Sequence, residues 1–175
     1  MSDDSHSSAL TIEAPSRSPN DEAITVRITG VEPGAGVRFE AMLVDHDGVA
    51  WSSYATFLAD SEGVVDLSAD APESGSYEGT EPMGWLWSMA TDADVRGATL
   101  DCEPTVAVDL TAGTRNDRVE RTITRQCYDP EVTTRTVDTD DLAGRLFLPG
   151  GDGPHPGVLL LHGSGGRLPT RTAQS

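Results

Sequence analysis

The stretch "VRFEAMLVDHDGVAWSSYATFLAD", residues 37–60, decides the fold. Val37, Phe39, Ala41 and Leu43 fall on one side of an extended chain. After "DHDG" the alternation resumes, with Trp51, Ser53, Ala55, Phe57 and Ala59 on one side and Ser52, Tyr54 and Thr56 on the other. Side chains of a strand point to opposite faces in turn, so a period of two marks a half-buried strand. Two such runs joined by an Asp/Gly turn read as a hairpin.

The same pattern extends outward from this stretch. In "AITVRITG", Ile24, Val26 and Ile28 share a face, opposite Thr25, Arg27 and Thr29. "TVAVDL" and "RVERTITR" alternate further along. Between the runs lie "EPGAG", "DSEG", "ESGS" and "TAGTRND", all turn chemistry. No segment before about residue 125 shows helical periodicity. Seven or so short strands, each with one solvated face, predict an antiparallel β-sandwich of immunoglobulin-like type. The Cys and Trp spacing of antibody domains is absent.

After about residue 128 the pattern changes. "EVTTRTVD" and "LAGRLFLP" still alternate, but "GVLLLHG" is apolar at consecutive positions, Val158 to Leu161. A strand apolar on both faces is one covered on both faces, as in an α/β sheet. The expected division is therefore a flexible acidic tail over 1–8, a β-sandwich over 9–128, and an incomplete start of a second, α/β domain over 129–175.

Composition narrows the function. The 175 residues carry 12 basic and 29 acidic side chains, a formal charge of -17, and every basic residue is Arg. That charge opposes nucleic acid and anionic membrane surfaces as partners. Dispersed carboxylates without Lys fit a halophilic proteome, because molar salt screens their repulsion; an ordinary acidic surface is the alternative. No apolar run approaches the length of a membrane span. The N-terminus "MSDDSHSSALTIEAPSRSPNDEA" has no secretory pattern, so the expected location is the cytoplasm. Cys102 and Cys127 fit no metal spacing. They could pair across neighbouring strands, but a reducing compartment favours free thiols.

Chemistry has few places to be. "DHDG" mimics part of a calcium loop, but with Gly48 as its sixth position the first would be Leu43 and the twelfth Tyr54, neither a carboxylate. The four histidines are scattered, and no metal or cofactor is expected. Gly163, Ser164, Gly165 and Gly166, after a buried strand, could present backbone N–H groups to an oxyanion; a plain glycine loop is the other reading. Ser164 does not sit in a Gly-x-Ser-x-Gly elbow, and His162 two residues away reads as loop architecture rather than its base. The stretch 74–89, "SGSYEGTEPMGWLWSM", gathers Tyr77, Pro82, Met83, Gly84, Trp85 and Trp87. Its aromatics could plug the end of the sandwich or anchor a partner; residue types alone favour packing.

These residues also carry a resemblance. Ser53-Tyr54-Ala55, Asp60 with Glu62-Gly63, Val65-Asp66-Leu67-Ser68, Gly75-Ser76-Tyr77 with Gly79, and Pro82-Met83-Gly84 with Leu86-Trp87-Ser88 resemble the N-terminal region of the acyl-CoA thioester hydrolase and bile acid-CoA:amino acid N-acyltransferase family. "LAGRLFLPGGDGPHPGVLLLHGSGG" resembles the first strands of that family's α/β-hydrolase domain. The resemblance runs from about residue 20 to 173. It implies a β-sandwich coupled to a hydrolase domain that attacks an acyl-CoA thioester with a Ser or Cys nucleophile, aided by His and Asp. It implies that Gly163 to Gly166 match the oxyanion loop, and that residues 77–87 face the hydrolase domain. No counterpart of the nucleophile elbow, the Asp or the His is expected in these residues. The chain is then expected to be inactive alone, with acyl-CoA a substrate only of the complete enzyme and the missing hydrolase domain packed on the sandwich. The alternatives are a non-enzymatic immunoglobulin-like interaction module, or a gene fragment without function.

Overall fold

The computed structural model describes residues 9–93, 105–129, 131–139 and 143–159. In chain order the strands are β1 (Thr11–Glu13), β2 (Arg17–Pro19), β3 (Arg27–Thr29), β4 (Gly36–Val44), β5 (Ala50–Leu58), β6 (Val65–Asp66), β7 (Ser74–Gly75), β8 (Thr105–Gly113), β9 (Arg118–Gln126), β10 (Thr133–Asp138) and β11 (Ala143–Leu148). The one helix among the described residues, α1 (Gly84–Trp87), lies between β7 and β8.

Two sheets enclose one core. The larger has the order β2-β9-β8-β4-β5-β7 and the smaller β1-β3-β6. The first extended segment is divided between them. β1 pairs antiparallel with β3, and its continuation β2 crosses to pair parallel with β9. This split, with hairpins β4–β5 and β8–β9 at the centre of the larger sheet, gives the immunoglobulin-like sandwich its two layers. Among the described residues more strands form than the seven or so expected, because β1, β2, β6 and β7 are only two or three residues long. Pairings that short leave no measurable periodicity.

The alternation seen in the sequence is the alternation of burial. Val37, Phe39, Ala41 and Leu43 of β4, and Ala55 and Phe57 of β5, are buried. Val106, Val108, Leu110 and Ala112 of β8 join them. Ile12, Ile28 and Val65 of the smaller sheet close the core from the other side.

Two turns have the same chemistry. In "DHDGV" the Asp45 Oδ1 accepts the amides of Asp47 and Val49, at 3.0 and 2.9 Å. In "DSEGV" the Asp60 Oδ1 accepts those of Glu62 and Val64, at 2.8 and 2.9 Å. In both, the fourth residue is a glycine with positive φ, 78° at Gly48 and 76° at Gly63. The Asp side chain imitates a backbone turn, and glycine accepts the left-handed position without a Cβ penalty. The surroundings separate the two sites. A Cβ on Gly48 would meet nothing, whereas one on Gly63 would overlap the Val31 carbonyl oxygen. Gly48→Ala should therefore destabilise by about 1 kcal/mol, and Gly63→Ala by about 3 kcal/mol or more, in chemical denaturation. Equal losses would disprove the steric account.

Asp45 has a further partner. Its Oδ2 accepts the Trp51 indole N–H at 2.9 Å. That bond holds the carboxyl below its ordinary pKa, helped by the Val49 and Asp47 amides and opposed by burial. A depressed folded-state pKa means that the stabilisation is present above the ordinary value of 3.8 and is lost as pH falls through the lower folded value. The Trp51 indole N–H resonance should shift only below pH 3.8, and that shift should vanish in Asp45→Asn. A midpoint above 3.8 would contradict the bond.

One sequence-based expectation changes, and the expected strand of "GVLLLHG" lies in part outside the described residues. Cys127 is disulfide-bonded rather than a free thiol, and Cys102 lies outside the described residues. Residues 157–159, the described part of "GVLLLHG", form no strand, and Val158 and Leu159 are each 82% exposed. A strand apolar on both faces requires neighbours on both sides, and no described element pairs with it. β10 and β11 pair antiparallel as a two-stranded ribbon separate from the sandwich sheets, with no buried residue.

Candidate functional site

The aromatic loop packs against the larger sheet. α1 packs on β4 and β5. Trp85 is fully buried there, and its ring meets Phe39 edge-on, with centroids 6.3 Å apart. Its indole N–H donates to the Pro82 carbonyl at 3.1 Å, and its own carbonyl accepts the Ser53 hydroxyl. Below it, Ser52 and Ala90 exchange backbone hydrogen bonds of 2.9 Å. Met83 Sδ accepts the Ile24 amide at 3.4 Å.

Tyr77 is buried against Gly84, which is a glycine because any Cβ there would overlap the Tyr77 ring. Burial pushes the Tyr77 hydroxyl up to about 12, so it stays protonated at any physiological pH. It cannot serve as a general base. Trp87 stands apart: it is 61% exposed, tilted over Tyr77 at a centroid distance of 6.2 Å. Of the six residues singled out in this stretch, Tyr77, Gly84 and Trp85 lie in the core. Pro82 and Met83 are partly buried, and Trp87 alone is mostly exposed.

Periodicity gave no hint of the buried cation on β9. Its inward face carries Arg121, Ile123 and Arg125, and Arg125 is fully buried. The guanidinium donates to Ser18 Oγ at 2.7 Å and to the carbonyls of Asn20 and Glu22 at 2.9 and 2.8 Å. Burial lowers its pKa, while Asp21 and Glu22 oppose the shift. Arg121 donates likewise to the carbonyls of Ile12 and Ala14. Both arginines hold the segment where the chain leaves one sheet for the other and its carbonyls lose their ladder partners. An Arg on an alternating strand counts as a polar residue in a periodicity pattern, so the inward pair reads as solvent-facing.

Gly163, Ser164, Gly165 and Gly166, with His162, lie outside the described residues. Among the described residues no group of three or more His, Cys, Asp and Glu is arranged to hold a metal ion, and no helix is long and apolar enough to cross a membrane.

Residues 21–139 match the family described as the acyl-CoA thioester hydrolase/BAAT N-terminal region. The chain belongs to that family. The match covers nearly the whole sandwich, including the aromatic loop and the β4–β5 hairpin. Among curated relatives, the mouse peroxisomal succinyl-coenzyme A thioesterase is 34% identical over 166 residues, covering 91% of this chain and 39% of the relative. The mouse bile acid-CoA:amino acid N-acyltransferase is 33% identical over 162 residues, covering 85% and 38%. The human mitochondrial acyl-coenzyme A thioesterase 2 is 31% identical over 166 residues, covering 91% and 34%. The chain thus spans a third to two fifths of the length of these family members.

Proposed function

We propose that this chain is the N-terminal part of an acyl-CoA thioesterase, with a β-sandwich over 9–128 and the beginning of an α/β-hydrolase domain over 129–175. The observation that carries the reading is the family match over 21–139, joined to thioesterase relatives whose similarity runs on past the sandwich. In this reading the nucleophile, its His and its Asp come from sequence beyond these residues. Gly163 to Gly166 supply oxyanion amides, and the chain alone turns over no substrate. Oxyanion donors without a nucleophile give little chemistry.

The aromatic loop is the surface that this proposal gives to the hydrolase domain. Trp85 and Tyr77 form its fixed base, and Trp87 is the exposed anchor. A half-exposed indole on a packed base has the form of an interface hot spot. The ribbon β10–β11 supports the same arrangement, because a lone two-stranded hairpin with no buried face is marginal until other strands cover it. A cytoplasmic site belongs to the reading as well. The disulfide at Cys127 stands against it.

The charge suggests how the complete enzyme behaves. Arg27, Arg38 and Arg118 are paired with Asp66, Glu40 and Glu120, and Arg121 and Arg125 are bound to backbone carbonyls. Carboxylates outnumber the arginines 29 to 12, and CoA is itself an anion. Thiol release from a set of acyl-CoAs tests the proposal, using this chain and the in-frame protein that extends it through a hydrolase domain. The extended protein should hydrolyse acyl-CoA faster in molar salt, where the Debye length is about 3 Å, than in dilute buffer. This chain should release no thiol above background. Turnover by the chain itself, abolished by Ser164→Ala, would overturn the placement of the nucleophile. An extended protein inert toward every acyl-CoA would overturn the thioesterase reading.

A further inference from the structure

We draw no further inference here: the strongest candidate, the groove of about 560 Å³ between β2 and residues 23–26, is walled by Pro15 and Pro19, which withhold the amides an added strand would need, and rimmed by Arg17 and Arg27 against Glu13 and Glu22, so nothing in the structure shows what covers it.

Discussion

Trp85→Ala will destabilise the sandwich by about 3–5 kcal/mol, while Trp87→Ala, two residues away, will change it by about 0.5 kcal/mol or less. The two side chains have the same chemistry and opposite surroundings: Trp85 is fully buried and Trp87 is 61% exposed. Losing the Trp85 ring opens a cavity beside Phe39 and leaves the Pro82 carbonyl without its indole donor. Its helix has a single turn fixed on β4 and β5, and the Trp85 carbonyl is held by the Ser53 hydroxyl, so little can collapse into the space. Cavity cost grows with whatever volume the surroundings fail to fill. Urea denaturation of the two variants measures the difference directly. A loss below about 1 kcal/mol at Trp85 would mean that the loop is not part of the core. A large loss at Trp87 would mean that its exposed face is buried by something in solution. In the extended protein the order of interest reverses. There, Trp87→Ala should weaken the hold of the hydrolase domain and lower thioesterase activity, if the loop is the surface proposed for it.

Arg125→Met should loosen the β2 segment by about 3 kcal/mol without unfolding the central hairpins. Methionine keeps much of the volume, so the change isolates the guanidinium's hydrogen bonds, each worth about 1.5–3 kcal/mol when one partner is charged. Replacing a buried ion by an apolar side chain is often harmless where both partners of a pair are replaced. Here the acceptors are backbone carbonyls of Asn20 and Glu22, which no such change removes. These residues are otherwise near solvent, so the segment can detach and hydrate them. The expected result is local. The Thr124 amide, which donates to Ser16, and the Asn20 amide, which donates to Gln126, should exchange about 100-fold faster with solvent. Amides of β4 and β5 should keep their protection. Uniform acceleration across the whole sandwich would show that the clamp supports the core itself. Unchanged exchange at Thr124 and Asn20 would show that it supports nothing.

Residues 37–60 show how far sequence reasoning reached. Both strands, their register-setting turn and their buried faces are present in the alternation and in "DHDG". The reach ends at "DSEGV". That turn has the same Asp bonds and the same glycine conformation as "DHDGV". Yet "DHDGV" closes a hairpin within one sheet, whereas "DSEGV" passes the chain from β5 to β6 in the other sheet. Local chemistry determines how the backbone turns. Where the chain goes afterwards depends on which edge is free to receive it.

The aromatic stretch and β9 were harder to read for the same reason. Tyr77, Trp85 and Trp87 are equivalent in composition. Only packing against the larger sheet makes two of them core and leaves one exposed. Arg121 and Arg125 read as polar positions because periodicity counts a charge as facing water. In the folded chain, carbonyls at the β1–β2 crossing and just after β2 need donors, and Arg121 and Arg125 reach inward to supply them.

By itself, then, the sequence determined a mainly β chain, the period and inward faces of its long strands, its turn residues and its strongly acidic surface. Each of these follows from interactions between residues close together in the chain, or from summed charge. The tertiary structure decided the division of the first strand between two sheets, the burial of Trp85 against the exposure of Trp87, and the inward turn of Arg125. Each of these is set by contacts between segments dozens of residues apart, whose geometry exists only once the two sheets have closed on their core.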